Sequence, residues 1–254
     1  MQHQCTTFYS NRIAMSRRNP RLSAHVHGLK KAQGRQADVA PFLQTNLEEP
    51  LSEVLWNSPD AVACRNLALS TCFVEGIKNG NLNPTAFGGY MVQDSVYCCK
   101  AKYSIDAAIC RAPDGDVKTY LEKESESYEG YYEELFTKWH IDDPTGISLS
   151  QACQSYADFE HLVASTEDTI YMIVAMIPCM KLWPWLGKQL EQGDHGVYNE
   201  WYQNNFDPTY DGYKVLDAFV DDAAAQGTID DVKAMEVFSR CMQGEYEFFN
   251  SANI

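Results

Sequence analysis

The sequence has almost none of the patterns that predict β-strands. No stretch alternates apolar and polar residues with an enrichment of valine, isoleucine and threonine, and no hairpin dipeptide separates two such stretches. It also has no apolar run of the roughly 18–20 residues that span a bilayer. The longest run, from Ile170 to Met180, has 11 residues and predicts a buried core helix, so we expect no membrane partner.

Basic residues are scarce beyond residue 40. Residues 1–40 hold seven of the 20 lysines and arginines and a single acid, Asp38. The remaining 13 bases stand against 34 acids, which gives residues 41–254 a formal net charge of −21. A surface this acidic repels phosphate backbones, which argues against nucleic acid as a partner.

The basic N-terminal stretch also lacks the apolar periodicity of a packed helix. We therefore predict a basic, poorly ordered arm or targeting segment over residues 1–45, followed by one domain over residues 46–254. The arm has no apolar segment typical of a secretory signal, but its basic, acid-poor composition resembles mitochondrial and plastid transit peptides. The expected location is cytoplasmic, with a mitochondrion or plastid as the alternative if the arm is a transit peptide.

Patterns for metals and disulfides are missing as well. The nine cysteines are an odd number and include no Cys-x-x-Cys pair, which favours free thiols in a reducing compartment. The chain has no Glu-x-x-His pair of the kind that holds two metals in a helical bundle. Neither His140, near a predicted helix end, nor His161, on a mixed face, is placed as an axial haem ligand. We expect no metal and no organic cofactor.

What is present is helical periodicity, which recurs from residue 50 to the end. Pro84 suits the first turn of a helix, and the patterns Ser165-x-x-Asp168 and Thr228-x-x-Asp231 resemble capping boxes. The sequence therefore predicts an all-α helical bundle. The predicted helices cover about residues 51–78, 84–111, 117–139, 148–164, 168–192, 207–226 and 229–250.

Two acids fall on apolar helix faces, where an amphipathic helix normally carries none. Asp94 lies in the stripe that includes Tyr90 and Tyr97, and Glu245 lies in the stripe that includes Phe248. A buried carboxylate is costly unless it is paired, protonated or used in chemistry. One such acid is more often a core residue bonded to a tyrosine, but two of them with several inward tyrosines predict a polar pocket inside the bundle.

Cys179 follows Pro178 inside the most apolar predicted helix. A proline there removes a backbone hydrogen bond and is expected to kink the helix. Buried cysteine usually only fills space, but a thiol beside a helix distortion that faces acids and tyrosines is a candidate nucleophile. Trp183 lies four residues further on and therefore shares the face of Cys179.

Five blocks between residue 55 and the C-terminus carry a resemblance by their order and spacing. They are Phe73-Val74-Glu75-Gly76-Ile77 with Leu82, Tyr90-x-x-Gln93-Asp94-x-x-Tyr97, Ile177-Pro178-Cys179 with Gly187, Tyr198-x-x-Trp201, and Glu245-Tyr246-x-Phe248-Phe249. Together they resemble the TenA (thiaminase II) family, which has the haem-oxygenase-like helical fold.

The resemblance implies hydrolysis of an aminopyrimidine, either 4-amino-5-aminomethyl-2-methylpyrimidine or thiamine, to the hydroxymethyl-pyrimidine used in thiamine salvage. By the same resemblance, Cys179 matches the nucleophile. Asp94 matches the acid that binds the amino side of the pyrimidine, and Glu245 matches the acid that handles the ring protons. Tyr97 and Tyr156, the latter 23 residues before Cys179, match pocket tyrosines. The family chemistry requires no metal or organic cofactor.

Two positions depart from the family pattern. Trp183 and Asn205 stand where pocket tyrosines are usual, and we place both, with Tyr90 and Phe248, among the substrate-binding residues. Tryptophan lacks the hydroxyl and asparagine has a shorter reach, so a TenA-like protein with an altered substrate is one alternative. A non-catalytic pyrimidine-binding oligomer is another, although binding alone does not need the thiol of Cys179.

The resemblance also implies an oligomer, a homotetramer or a homodimer. The aromatic stretches at residues 183–185 and 206–213 favour self-association, because exposed apolar patches are often interfaces. The expected partners are therefore a small aminopyrimidine or thiamine and further copies of the chain.

Overall fold

The computed structural model describes residues 49–252, and within them the chain forms ten α-helices and no β-strand. The all-α fold predicted from the sequence is confirmed. The arm predicted for residues 1–45 lies outside the described residues, so the arm and the domain boundary at residue 46 stay predictions. The helices are α1 (Leu51–Trp56), α2 (Pro59–Leu69), α3 (Cys72–Lys78), α4 (Pro84–Arg111), α5 (Asp116–Trp139), α6 (Gln151–Thr166), α7 (Thr169–Leu190), α8 (Asn199–Asn205), α9 (Tyr213–Ala225) and α10 (Asp231–Ser251).

Helix α7 forms the centre of the bundle. It packs against α6, α9 and α10, while α4 packs along α5 and α6, and α10 also covers α2. By length and composition α7 could cross a membrane, with a mean hydropathy of 1.4, but 78% of that apolar window is buried inside the protein. The buried core helix predicted from the run between Ile170 and Met180 is therefore confirmed.

The single helix predicted over residues 51–78 is wrong, because the chain turns twice within that range. The Ser58 hydroxyl accepts a hydrogen bond from the backbone N–H of Ala61 and begins α2, which has a proline in its first turn. The Thr71 hydroxyl accepts a bond from Val74 in the same way and begins α3. Hydrophobic periodicity continues across both turns, so the pattern alone indicates one helix.

Both predicted capping boxes are wrong. Ser165 lies inside α6, and α7 begins after Asp168 without a side-chain cap. The cap of α10 is Asp230, whose carboxylate accepts a 2.9 Å hydrogen bond from the backbone N–H of Lys233. The Thr228 hydroxyl donates backward to a backbone carbonyl instead. A capping pattern fixes only two residues, so it recurs by chance.

The segment between α7 and α9 was also predicted incorrectly. The Asp207 carboxylate accepts hydrogen bonds from both the N–H and the hydroxyl of Thr209, and this local turn competes with a helix. Helix α9 therefore begins at Tyr213 rather than at residue 207. The sequence did not predict α8, because its seven residues are too few to show a periodic pattern. Its last residue, Asn205, lies at the pocket described below.

Helix α7 continues through Pro178 and Pro184. Neither proline has a backbone N–H, so the carbonyls of Val174 and Met180 cannot receive their usual helical hydrogen bonds. Cys179 thus lies on a stretch of α7 in which two backbone hydrogen bonds of the helix are missing.

Candidate active site

One cavity collects most of the residues that the sequence singles out. It lies between α4, α7 and α10 and is bordered by α5 and by residues 204–210. The cavity has a volume of about 60 Å³, which is room for a few ordered waters. The lining residues are Tyr90, Asp94, Tyr97, Cys98, Tyr128, Tyr131, Cys179, Met180, Trp183, Pro184, Asn204, Asn205, Asp207, Tyr210, Glu245 and Phe248.

Helix α4 supplies one wall of the cavity through residues spaced one and two turns apart. Tyr90, Asp94 and Tyr97 are all buried and all line the cavity, because positions i, i+4 and i+7 share one helix face. Burial raises the pKa of Tyr90 well above its usual value, and the nearby charges of Asp94 and Glu245 raise it further. The two predicted acids therefore line one cavity from two different helices, α4 and α10.

Glu245, on α10, is a buried carboxyl without a lysine or arginine partner among the groups that set its pKa. Its Oε1 accepts a 2.9 Å hydrogen bond from the Tyr156 hydroxyl, and its Oε2 accepts a 3.1 Å bond from the indole N–H of Trp183. The Cys179 thiol also donates to this carboxyl. Burial raises the pKa of Glu245 to about 7, while these three hydrogen bonds lower it. Near neutral pH the group can both give and take a proton.

Cys179 carries the half-buried thiol that hydrogen-bonds the Glu245 carboxyl. It lines the cavity from α7, and Trp183 lies one turn further along the same face. The other cysteine that lines the cavity is Cys98 on α4, which is buried. Of these two thiols, Cys179 is the one that bonds Glu245.

Aromatic rings form the remaining walls. Tyr90 stacks on Phe248 with 4.8 Å between the ring centroids, and Tyr97 stacks on Tyr156 at 5.0 Å. Tyr156 does not line the cavity itself but lies behind Tyr97 and holds Glu245 from there. Aromatic walls of this kind suit a flat heteroaromatic ligand.

The close approach of Tyr156 to α10 depends on a glycine. A Cβ atom at Gly244 would lie 2.6 Å from two carbons of the Tyr156 ring. Any larger residue at position 244 would push the Tyr156 ring away from Glu245, the next residue in the chain.

The two departures from the family pattern have different consequences in the structure. Trp183 lacks a hydroxyl, yet its indole N–H donates directly to Glu245, so a hydrogen bond is present at this position. Asn205 lines the cavity, and its amide N–H donates to the backbone carbonyl of Trp201 at 2.7 Å. Trp183 is therefore part of the acid's hydrogen-bonding shell, whereas Asn205 is held by its own helix.

Several residues at the site were not predicted from the sequence. Tyr128 and Tyr131 reach the cavity from α5, and Tyr210 reaches it from the segment after α8. Glu160 was missed as well; it is a buried acid on α6, and burial raises its pKa to about 8. Glu160 lies four residues after Tyr156, and this helical spacing was the signal that could have found it.

Within residues 49–252, no group of three or more histidine, cysteine, aspartate or glutamate side chains is arranged to hold a metal ion.

The sequence model of the TENA/THI-4/PQQC family matches residues 72–252. That range contains every helix from α3 to α10 and every residue predicted for the site.

A curated relative is the thiamine biosynthesis multifunctional protein ThiED of Corynebacterium efficiens. It is 24% identical over 221 residues, an alignment that covers 80% of this chain and 28% of the relative. The chain thus spans just over a quarter of the length of that larger protein.

Solved structures share the fold at low sequence identity. A TenA family transcription regulator from a Silicibacter species has a TM-score of 0.69 at 18% identity, covering 80% of this chain and 98% of that one. A protein of Sulfolobus solfataricus described as a TenA-like thiaminase has a TM-score of 0.62 at 20% identity, covering 79% and 94%. At these identities the likeness shows the fold alone.

Proposed function

This chain belongs to the TENA/THI-4/PQQC family, and from that premise we propose that it hydrolyses an aminopyrimidine in thiamine metabolism. The substrate we propose is 4-amino-5-aminomethyl-2-methylpyrimidine, with thiamine as a slower one. The products are the hydroxymethyl-pyrimidine and ammonia, or the thiazole when thiamine is cleaved. The names of the C. efficiens relative and of the S. solfataricus structure support this substrate class.

The observation that carries the proposal is the contact between the Cys179 thiol and the Glu245 carboxyl at the wall of a small aromatic cavity. A site that only binds a ring has no need of a thiol bonded to an acid. The second acid, Asp94, faces the same cavity and supplies an acceptor for the amino group of a pyrimidine.

Glu245 is suited to move a proton between the thiol and the ring. With a pKa of about 7, its anion can accept the thiol proton of Cys179, and its acid form can then donate that proton to a ring nitrogen. A protonated pyrimidine is more electron-poor and therefore more open to attack by the thiolate.

The covalent steps balance without an oxidant or cofactor. The Cys179 thiolate bonds to the ring carbon next to the one that carries the CH₂ group, and the electron pair of the ring expels the amine. Water then adds to the exocyclic methylene, the sulfur–carbon bond breaks, and the thiol recovers its proton through Glu245. One amine is exchanged for one hydroxyl.

A substrate panel tests this function. We expect the full chain to release ammonia from the aminomethyl-pyrimidine faster than it releases the thiazole from thiamine. A pyrimidine without the 4-amino group is the matched control, and it should react poorly because Asp94 has nothing to bind. The absence of turnover on every panel member, with tight binding retained, would contradict the proposal and favour the non-catalytic binder.

A further inference from the structure

A groove bordered by α1, α9 and the first turns of α10 has no part in the reaction proposed above. It shares no lining residue with the cavity of the candidate active site. Its volume is about 980 Å³, which is at the upper end of the range of about 300–1,000 Å³ for ligand pockets. A groove of this size has room for several side chains of a peptide segment.

All three helices contribute apolar side chains to the groove. Val54 on α1 is 38% exposed, and Val232 on α10 is 70% exposed. Leu51, Ala225 and Met235 also line the groove. Single exposed apolar residues are ordinary, but several that line one groove indicate a surface that a partner covers.

The charged residues that line the groove are all acids. They are Glu49, Asp221, Asp231 and Glu236, and no lysine, arginine or histidine of the part of the chain that the structure describes lines it with them. Asp221 accepts hydrogen bonds from the backbone N–H and the hydroxyl of Ser52. The other three acids form no ion pair with any residue in the range 49–252. The groove is therefore complementary to a segment that combines apolar and basic side chains.

The chain just before Glu49 has that composition. Residues 30–47 contain three bases, one acid and four large apolar residues. The bases are Lys30, Lys31 and Arg35, and the apolar residues are Val39, Phe42, Leu43 and Leu47. Glu49 itself lines the groove, so this segment is joined directly to it. A short tether of this kind gives an effective concentration in the millimolar range, so even weak contacts keep the segment bound.

We propose that residues 30–47 of this chain bind in the groove between α1, α9 and α10. The apolar residues of the segment cover Val54 and Val232, and its three bases lie beside the acids of the groove. A second copy of the chain, or another protein, would have to bind at its own concentration, without the advantage of the tether. The proposal is independent of the aminopyrimidine chemistry, and its tests need no turnover.

Photo-crosslinking from position 42 tests the proposal in the full chain. Phe42 is replaced by benzoylphenylalanine, which keeps an aromatic side chain and bonds covalently to nearby C–H groups on irradiation. An equal mixture of normal and isotope-heavy chains separates a link within one chain from a link between two. We expect the main product to join position 42 to Val54, Val232 or Met235 of the same chain.

Each other product pattern contradicts the proposal. Links from position 42 of one chain to the groove of another indicate a second copy as the occupant. Links spread over surfaces outside the groove, or the absence of any link, indicate that this segment does not bind there.

Val232→Asp tests the apolar contact. It introduces an unpaired charge at an exposed position, so the domain should fold normally while the yield of the link falls about tenfold. Val197→Asp is the matched control, because Val197 is 86% exposed and does not line the groove. An unchanged yield in Val232→Asp overturns the proposal.

Glu236→Lys tests the charge complementarity. A lysine there repels the bases of the segment, so at low salt the yield should fall about threefold. Glu126→Lys is the control, because it changes the net charge equally at an exposed position on α5 that does not line the groove. Equal yields in Glu236→Lys and Glu126→Lys overturn the pairing of this segment with the acids of the groove.

Discussion

The indole of Trp183 occupies a position where a tyrosine was expected, and the structure gives this exchange a physical meaning. Its N–H donates to Glu245 Oε2 at 3.1 Å, so tryptophan stabilises the anionic form of that acid as a tyrosine hydroxyl could. From the sequence we expected Trp183 to change the pocket through the loss of a hydroxyl. Residue identity alone does not show how the indole is oriented, so the hydrogen bond to Glu245 could not be foreseen. That Trp183 changes substrate choice stays a prediction.

Trp183→Phe tests the electrostatic part of this account. Loss of the N–H removes a bond that lowers the pKa of Glu245, so that pKa should rise above about 7. A single hydrogen bond contributes about 0.5–1.5 kcal/mol, which corresponds to a rise of up to about one unit. The alkaline limb of kcat should therefore move to higher pH.

Trp139→Phe is the control for that measurement. The indole N–H of Trp139 is buried and has no hydrogen-bond partner within residues 49–252, and its loss leaves Glu245 untouched. Coincident pH profiles for Trp183→Phe and the wild type would contradict the assigned role of the indole.

The candidate site shows how far single residues could be predicted. Asp94, Cys179 and Glu245 do line one cavity, because each lies on an otherwise apolar helix face and such faces turn inward. Glu160 was missed although it lies one turn after Tyr156 on the buried face of α6. Whether that face reaches the site depends on how α6 packs against α4 and α10, a tertiary property that local periodicity does not contain.

At the scale of helices, the sequence predicted the long elements best. Helix α4 has the bounds predicted for it, and α5 and α10 agree within two residues, because many turns repeat the same apolar period. The errors fall where a polar side chain makes a short local hydrogen bond, as Ser58 and Thr71 do within the region predicted as one helix. Such bonds are decided by a few residues, and the apolar pattern does not register them.

Gly244→Ala tests how α10 is fitted against α6. Alanine favours a helix over glycine by about 1 kcal/mol, but the new Cβ would lie 2.6 Å from the Tyr156 ring. Overpacking of this kind costs about 1–3 kcal/mol, so we expect a lower Tm and reduced turnover as Tyr156 moves away from Glu245.

Gly88→Ala is the matched variant on α4. Its new Cβ would meet only the Trp139 ring at 3.7 Å, an ordinary contact, so the substitution should raise the Tm. If thermal unfolding shows both variants to be stabilised, the close approach at Gly244 is not a constraint.

At the scale of the whole molecule, charge and surface limit the range of partners. The net charge of −21 over residues 41–254 repels phosphate backbones, and the absence of a nucleic-acid partner stays a prediction. The likeness to the Silicibacter regulator shows the fold alone. The homotetramer or homodimer implied by the family stays a prediction. The argument that exposed aromatic residues at 183–185 and 206–213 favour self-association applies only in part. Phe206 is fully buried, and Trp183 and Trp185 pack against the core.

The central claim is that the Cys179 thiol performs the chemistry of this pocket, and ammonia release by Cys179→Ser beside Cys98→Ser tests it most directly. Both thiols line the cavity, but only that of Cys179 bonds Glu245. Serine is similar in size and a far weaker nucleophile at neutral pH, so we expect Cys179→Ser to fold normally and lose at least about a thousandfold in kcat. Cys98→Ser should stay within about tenfold of wild type. Near-normal turnover by Cys179→Ser would contradict the account and indicate direct attack by water.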